Sequence, residues 1–517
     1  MGKISEELIE EQDKIIDSNE RKLLVVAGPG SGKTYTLINK AIKELESFVS
    51  ARRNRGIILC SFTREASKQL RTRIDKDYLR FSFVNTLDAF VLSEIFKPYE
   101  HRIIQKLFNA QESEPVRVSL SHSSNKQVNE YLRRVNVFGD RTMHDYYESW
   151  KAKLLAGEYT VSFEAYIFAI EILEKVPEIV KYLSNKYASF YVDEAQDLNF
   201  FQIKFVETIV AKCDMNCFLI GDHRQSIYQF RGAMPKLFLE MERKGYTKFE
   251  ITHSVRCHFS ILNFARACVG ENFVPFNDNH IYYIAEYQDL IDRAIASDHF
   301  FFLVETNKQA NLVYEMFKEK QFKNIIKTAP LIIDSDKEFS DIYYELIEEL
   351  ITFYYNHSNI DPDFAYPVED LTPIFDSYSS TFGARKDVIF LEPRKDEDPV
   401  SYLERIMDHC CDETIPSSVI SELKNQLYEG SETVAFYIKK KNVNRIMTIH
   451  YSKGLESENV FILFNADYRS RINEAESNKI FVALTRAKNN VTYSFTIPGI
   501  DPREKYLSLT MSKIKVA

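Results

Sequence analysis

Lys22-Leu23-Leu24-Val25-Val26-Ala27-Gly28-Pro29-Gly30-Ser31-Gly32-Lys33-Thr34 is the stretch from which the fold can be read. Its first six residues are a short apolar run with β-branched members, the pattern of a strand buried in a parallel sheet. Residues 35–48 read as a helix. Strand, G-x-x-x-x-G-K-[ST] and helix in this order form a phosphate-binding loop. Glycines at 28, 30 and 32 let backbone N–H groups turn inward around phosphate oxygens, where side chains would obstruct them. The helix start adds roughly half a positive charge. Lys33 is therefore expected on the β- and γ-phosphates of a nucleoside triphosphate, ATP, with the Thr34 hydroxyl on Mg²⁺ and Ser31 in the loop.

A triphosphate needs carboxylates nearby. Ala188-Ser189-Phe190-Tyr191-Val192 is a second apolar run, and it ends in Asp193-Glu194-Ala195-Gln196-Asp197. A carboxylate at the carboxyl end of a strand lies at the crevice where doubly wound sheets bind ligands. Asp193 is expected to reach Mg²⁺, and Glu194 to orient or deprotonate the attacking water. A third strand, Cys217-Phe218-Leu219-Ile220, ends at Gly221-Asp222 and leads into residues 223–233.

With 517 residues the chain is too long for one core, so three or four compact units are expected. Apolar residues make up 45% and charged residues 27%, an ordinary globular balance. No run approaches the 20 or so apolar residues of a membrane span, and the polar start does not read as a secretory signal. Seven cysteines without a CxxC pair, among them Cys213, Cys217, Cys410 and Cys411, read as reduced thiols in a cytoplasmic protein. A net charge of -9 excludes a surface coated with basic charge, but leaves room for a narrow basic or aromatic groove.

Taken with these segments, the sequence resembles the UvrD/Rep/PcrA group of superfamily 1 helicases. The likeness rests on Gly221-Asp222, His223-Arg224-Gln225-Ser226-Ile227-Tyr228-Gln229-Phe230-Arg231-Gly232-Ala233, Thr448-Ile449-His450-Tyr451-Ser452-Lys453-Gly454-Leu455-Glu456 and Phe481-Val482-Ala483-Leu484-Thr485-Arg486-Ala487-Lys488. It runs from Gln12 to Lys488. The resemblance implies an α/β fold: two RecA-like P-loop domains, parallel sheets flanked by helices, with two mainly helical inserted subdomains. The first motor domain would take residues 1–90 and 160–250, with a helical insert at 91–159. The second would take 251–330 and 441–517, with a reduced insert at 331–440.

The resemblance also implies roles. Gln12 would read adenine, Gln225 would sense the γ-phosphate, and Arg256 and Arg486 would reach the phosphates from the second motor domain. Gly454 and Glu456 would border the nucleotide. Phe62, Thr63, Arg64, Thr86, Phe230, Thr448 and His450 would touch nucleic acid, with a base stacked on Phe230. Three departures stand out. Asp88 and Ala89 replace a histidine and a serine, Val255 replaces the tyrosine that stacks on adenine (leaving Tyr35 as a substitute), and Ser477 and Asn478 replace two basic residues.

The implied activity is ATP-driven movement, 3′ to 5′, on single-stranded or tailed duplex DNA. The alternative is a DNA-stimulated ATPase serving as a sensor or regulatory subunit, with a protein partner such as a nuclease subunit. In size and layout the chain is similar to compact members of anti-phage systems, such as the helicase-like subunit of Gabija. An ATPase acting on protein fits poorly with residues 225–233 and 450–456.

Overall fold

The computed structural model describes residues 2–50, 55–61, 70–96, 162–229, 232–271, 280–327, 346–355, 393–410, 414–427, 444–464 and 474–495, except for 72, 75, 80, 285, 323, 349 and 395. The chain divides into two compact units, Met1–Arg256 and Cys257–Ala517. Each holds one six-stranded sheet.

The first unit begins with helix α1, Gly2–Asp17. Strand β1, Lys22–Ala27, runs through the loop into helix α2, Lys33–Ser50. Strands β2 (Gly56–Ser61), β3 (Phe83–Thr86), β4 (Tyr187–Val192), β5 (Asn216–Gly221) and β6 (Thr247–Ile251) complete the sheet, in the order β3-β2-β4-β5-β1-β6. Every pairing is parallel. Helices α3, Ser162–Lys175, and α4, Phe200–Lys212, pack on each other beside it.

A parallel sheet covered on both faces should read as continuous apolar runs, and these strands do. Leu24, Val26, Ile58, Phe190 and Leu219 enter one core cluster. The alternate residues Leu23, Val25, Ile57, Tyr191 and Ile220 enter another on the opposite face. Near the sheet's amino edge the Glu44 carboxylate on α2 accepts from Ser189, from Tyr191 Oη at 2.5 Å and from Asn216 Nδ2 at 3.1 Å. Three side chains of β4 and β5 thus converge on one carboxylate of α2.

The second unit carries helix α5, Phe259–Cys268, strand β7, Ile281–Tyr283, strand β8, Phe300–Val304, helix α6, Asn307–Glu319, and strand β9, Ile325–Lys327. Strands β10 (Asn444–Thr448) and β11 (Ser457–Phe464), helix α7 (Glu474–Leu484) and strand β12 (Ala487–Phe495) follow. The sheet order is β7-β12-β11-β8-β10-β9, again all parallel. Phe300, Phe302, Val304, Ile446, Phe461 and Leu463 fill the core on one face. Two parallel sheets flanked by helices are the α/β architecture read from the sequence.

Residues 97–159 of the first insert, and much of 331–440, lie outside the described residues. Within the latter, Leu346, Ile347, Leu350, Ile351 and Phe353 are buried, as their helical spacing suggests. One boundary differs from expectation. Residues 251–256, expected with the second motor domain, belong to the first unit, because β6 runs along β1 as far as Ile251, Thr252 and His253 bond to Glu11 of α1, and Ser254 and Val255 bond to the phosphate loop.

Candidate active site

The sheet order explains how the site assembles. Strands β4, β5, β1 and β6 are consecutive neighbours, and parallel strands about 4.8 Å apart end on one edge. Asp193 follows β4, Asp222 follows β5, the loop follows β1, and Ser254 to Arg256 follow β6. Four chain segments far apart in sequence thus deliver their charges to one crevice.

The loop is built for close approach. Gly30 has φ +69, and a Cβ there would lie 2.2 Å from Arg256 Cβ and 2.9 Å from the Arg256 backbone N. Gly32 has φ +73, and its Cβ would meet Gln12 Nε2 at 2.4 Å. Both positions favour glycine for conformation and for space. Ser31 is buried, and its Oγ donates to Gly28 O at 2.7 Å. Lys33 Nζ donates to Ala27 O at 3.3 Å and Gly28 O at 3.4 Å. Thr34 stands half-buried on the first turn of α2.

Burial pushes the Lys33 amine below its ordinary value, while Glu194, Asp222 and Asp193 pull it back up and Arg256 adds to the depression. A charge that is costly to hold in this crevice gains strongly from an anionic ligand. Asp222 shows the opposite balance. Burial raises its carboxyl, but Arg224 and Lys33 together with hydrogen bonds outweigh that and leave it below the ordinary carboxylate range. Its Oδ1 takes Arg224 Nε at 2.7 Å, and its Oδ2 takes Gln225 Nε2 at 2.8 Å.

Asp193 is buried at the end of β4, with its N–H donating to Cys60 O at 2.8 Å. Glu194 adopts the left-handed region at φ 53, uncommon for a side chain of this size. Gln196 Nε2 donates to Glu194 Oε2 at 2.5 Å, while its Oε1 accepts from Asp222 N at 2.9 Å. Gln196 therefore ties the β4 turn to the β5 turn.

Arg256 is held in the first unit by its approach segment. Ser254 Oγ donates to Pro29 O at 2.6 Å, and Val255 N to Gly30 O at 3.0 Å. Upstream, Glu11 accepts from Thr252 N at 3.0 Å and Thr252 Oγ1 at 2.7 Å, and His253 pairs with Glu7 and Glu11. Gln12 is buried, and its Nε2 donates to Ser31 O at 2.8 Å, so its amide braces the loop. Tyr35 and Val255 are exposed at 54% and 66%.

Arg486 lies in the second unit and is only 1% exposed. Its Nε donates to Val482 O at 3.0 Å, and its Nη1 to Leu455 O at 3.3 Å and Ser452 O at 3.5 Å. Gly454 has φ +86, and Glu456 pairs with Lys488 at 3.0 Å. Thr448 is buried, and its Oγ1 accepts from Tyr451 N at 3.4 Å; His450 is half-buried.

Thr86 caps the short helix Leu87–Phe90 by accepting from Ala89 N at 3.2 Å. Asp88, the unexpected acid, accepts a hydrogen bond from Tyr166 Oη, and Gln202 Nε2 donates to the same hydroxyl at 3.4 Å. Phe62, Thr63, Arg64 and Phe230 lie outside the described residues. Asp222, Arg224, Gln196 and Ser254 belong to the crevice, although sequence reading gave them no role. Asp222 obeys the rule that selected Asp193, an acid just past a buried strand.

These residues fit a magnesium–nucleotide complex. Two tight glycine positions shape the cradle, and lysine, arginine and carboxylates face one another across it. Among the described residues, no group of three or more His, Cys, Asp or Glu forms a metal site of its own.

Comparison with known proteins agrees with this geometry. Residues 8–137 and 104–245 match the UvrD/REP helicase N-terminal domain, and residues 445–492 match the UvrD-like helicase C-terminal domain. The chain belongs to the UvrD-like helicase family. Over 528 aligned residues it is 23% identical to the Gabija protein GajB of Bacillus cereus (strain VD045), covering 96% of both chains. It is 24% identical over 294 residues to the ATP-dependent DNA helicase PcrA of Staphylococcus aureus, covering 51% of this chain and 40% of that one. The PcrA of Bacillus subtilis (strain 168) is 26% identical over 263 residues, covering 45% and 35%. No described helix is long and apolar enough to cross a membrane.

Proposed function

We propose that the chain hydrolyses ATP with Mg²⁺ and uses it to move 3′ to 5′ along single-stranded DNA in the cytoplasm. The observation that carries this reading is the convergence of Lys33, Asp193, Glu194, Asp222, Gln225 and Arg256 on four neighbouring strand ends. In this reading Lys33 and the loop N–H groups bind the β- and γ-phosphates. Asp193 and Thr34 would hold Mg²⁺, which would supply positive charge to the phosphate oxygens. Glu194 takes a proton from the attacking water, its carboxylate oriented by Gln196. Gln225, fixed on Asp222, faces the γ-phosphate, and Arg256 and Arg486 balance charge as the phosphoryl group transfers. Thr86, Thr448 and His450 lie along the DNA track, with Phe62, Thr63, Arg64 and Phe230.

A second reading has its own support. Similarity to GajB spans 96% of both chains, whereas PcrA matches over 40% of its length. That favours a DNA-stimulated ATPase subunit of an anti-phage assembly, with a protein partner such as a nuclease subunit and little unwinding of its own.

The test measures ATP turnover with and without single-stranded DNA, alongside separation of a 3′-tailed duplex. Stimulation with separation supports the motor, and stimulation without separation supports the subunit. Lys33→Ala should lower turnover about 10²–10³-fold. Turnover retained in that variant would refute the phosphate assignment.

A further inference from the structure

The connection between β10 and β11, residues 449–456, has work to do on two sides. Both strands run parallel to β8, so the connection must travel back from the carboxyl edge of the sheet to its amino edge. On its inner side the carbonyls of Ser452 and Leu455 hold the Arg486 guanidinium. On its outer side Tyr451 is 40% exposed and Leu455 is 41% exposed. Only nine large apolar side chains are exposed among the described residues, and two of them occur in this one connection. The Thr448 hydroxyl accepts from the Tyr451 N–H and sets the backbone where the ring emerges. His450 and Lys453 flank that ring in the sequence.

We propose that Tyr451 is a platform on which an unpaired base of single-stranded nucleic acid stacks. The inference rests on the motor reading above and adds a contact that Thr448 and His450 do not supply. A planar ring standing exposed on a loop is the chemistry that holds single strands without regard to sequence, because every base presents a π-face. Exposed aromatic surface is costly in water, and a base landing on it removes that cost. The same connection grips Arg486, so a base ordering Tyr451 also orders the carbonyls that position the arginine. Tyr451 is thus a binding residue whose occupancy also registers in the hydrolysis rate.

The experiment uses the full chain with a fluorescein-labelled oligothymidine, reading anisotropy for affinity and ATP turnover for stimulation. Tyr451→Ala should weaken binding about 5- to 150-fold, the range expected for one stacked base. The DNA concentration giving half-maximal stimulation should rise in parallel. Tyr451→Phe keeps the ring and should stay within about twofold of the parent. Tyr451→Leu keeps apolar bulk for packing but lacks the π-face, and should behave like the alanine variant. Thermal melting of each variant shows that it is folded. Parent-like binding by the alanine and leucine variants would overturn the proposal while leaving the motor reading intact. Equal loss in the phenylalanine variant would assign the contact to the hydroxyl and overturn stacking. A parent chain with neither affinity nor stimulation would overturn the motor reading itself, and Tyr451 with it.

Discussion

Lys33 and Arg486 are both cations assigned to the same phosphates, yet the two units hold them differently. Lys33 sits among carboxylates: burial lowers its amine, and Glu194, Asp222 and Asp193 pull it back up. Arg486 is buried against neutral oxygens, the carbonyls of Val482, Ser452 and Leu455. A lysine can lose its proton when buried, so it needs acids nearby to stay charged; an arginine keeps its charge at any ordinary pH. The first unit therefore spends acidic residues to preserve a charge. The second orients one with carbonyl dipoles, two of which belong to a connection that also faces outward. Binding can be permanent in the first case and conditional in the second.

The largest test of that contrast removes the conditional cation. Arg486→Ala should lower DNA-stimulated turnover about 10³–10⁵-fold, with ATP binding by the first unit retained in a fluorescent-nucleotide titration. A rate within tenfold of the parent would break the assignment. Next comes the acid network. Asp222→Asn leaves Arg224 buried without its charge partner, and should cost about 3–5 kcal/mol in urea unfolding of the first unit. Smaller still is Gly454→Ala. A Cβ there meets nothing within 4 Å, so the whole cost is the left-handed backbone, about 1–2 kcal/mol, with a reduced DNA response as the connection shifts. A pH series is the mildest test. The depressed Lys33 amine loses its proton at a lower pH than an ordinary lysine near 10.4. The KM for ATP should therefore rise with pH below that value, and Lys33→Arg should flatten the rise.

Much of this was legible in the sequence because strand and loop chemistry is local. Lys22 to Ala27 and Phe300 to Val304 are strands with the bounds their apolar runs suggest. The P-loop carries its own signature. What could not be read was contact between distant segments. The resemblance puts Gln12 at a base, and no local pattern adds that its Nε2 donates to the Ser31 carbonyl. Asp88 suggested repulsion of a phosphate, and the structure shows it accepting from Tyr166, seventy-eight residues away. The resemblance places Arg256 in the second motor domain, and no local pattern reveals that Ser254 and Val255 bond to Pro29 and Gly30. Gln196 carries no motif of its own; its value comes from two turns meeting at adjacent strand ends.

Glu44 gives the first unit a mechanical property. Helix α2 starts at the phosphate cradle, and more than two turns further along Glu44 fastens it to Ser189, Tyr191 and Asn216. A rod tethered at both ends neither slides nor tilts easily. Tension applied at the γ-phosphate would pass straight into β4 and β5, the strands that carry Asp193 and Asp222, rather than dissipate as slack in the helix.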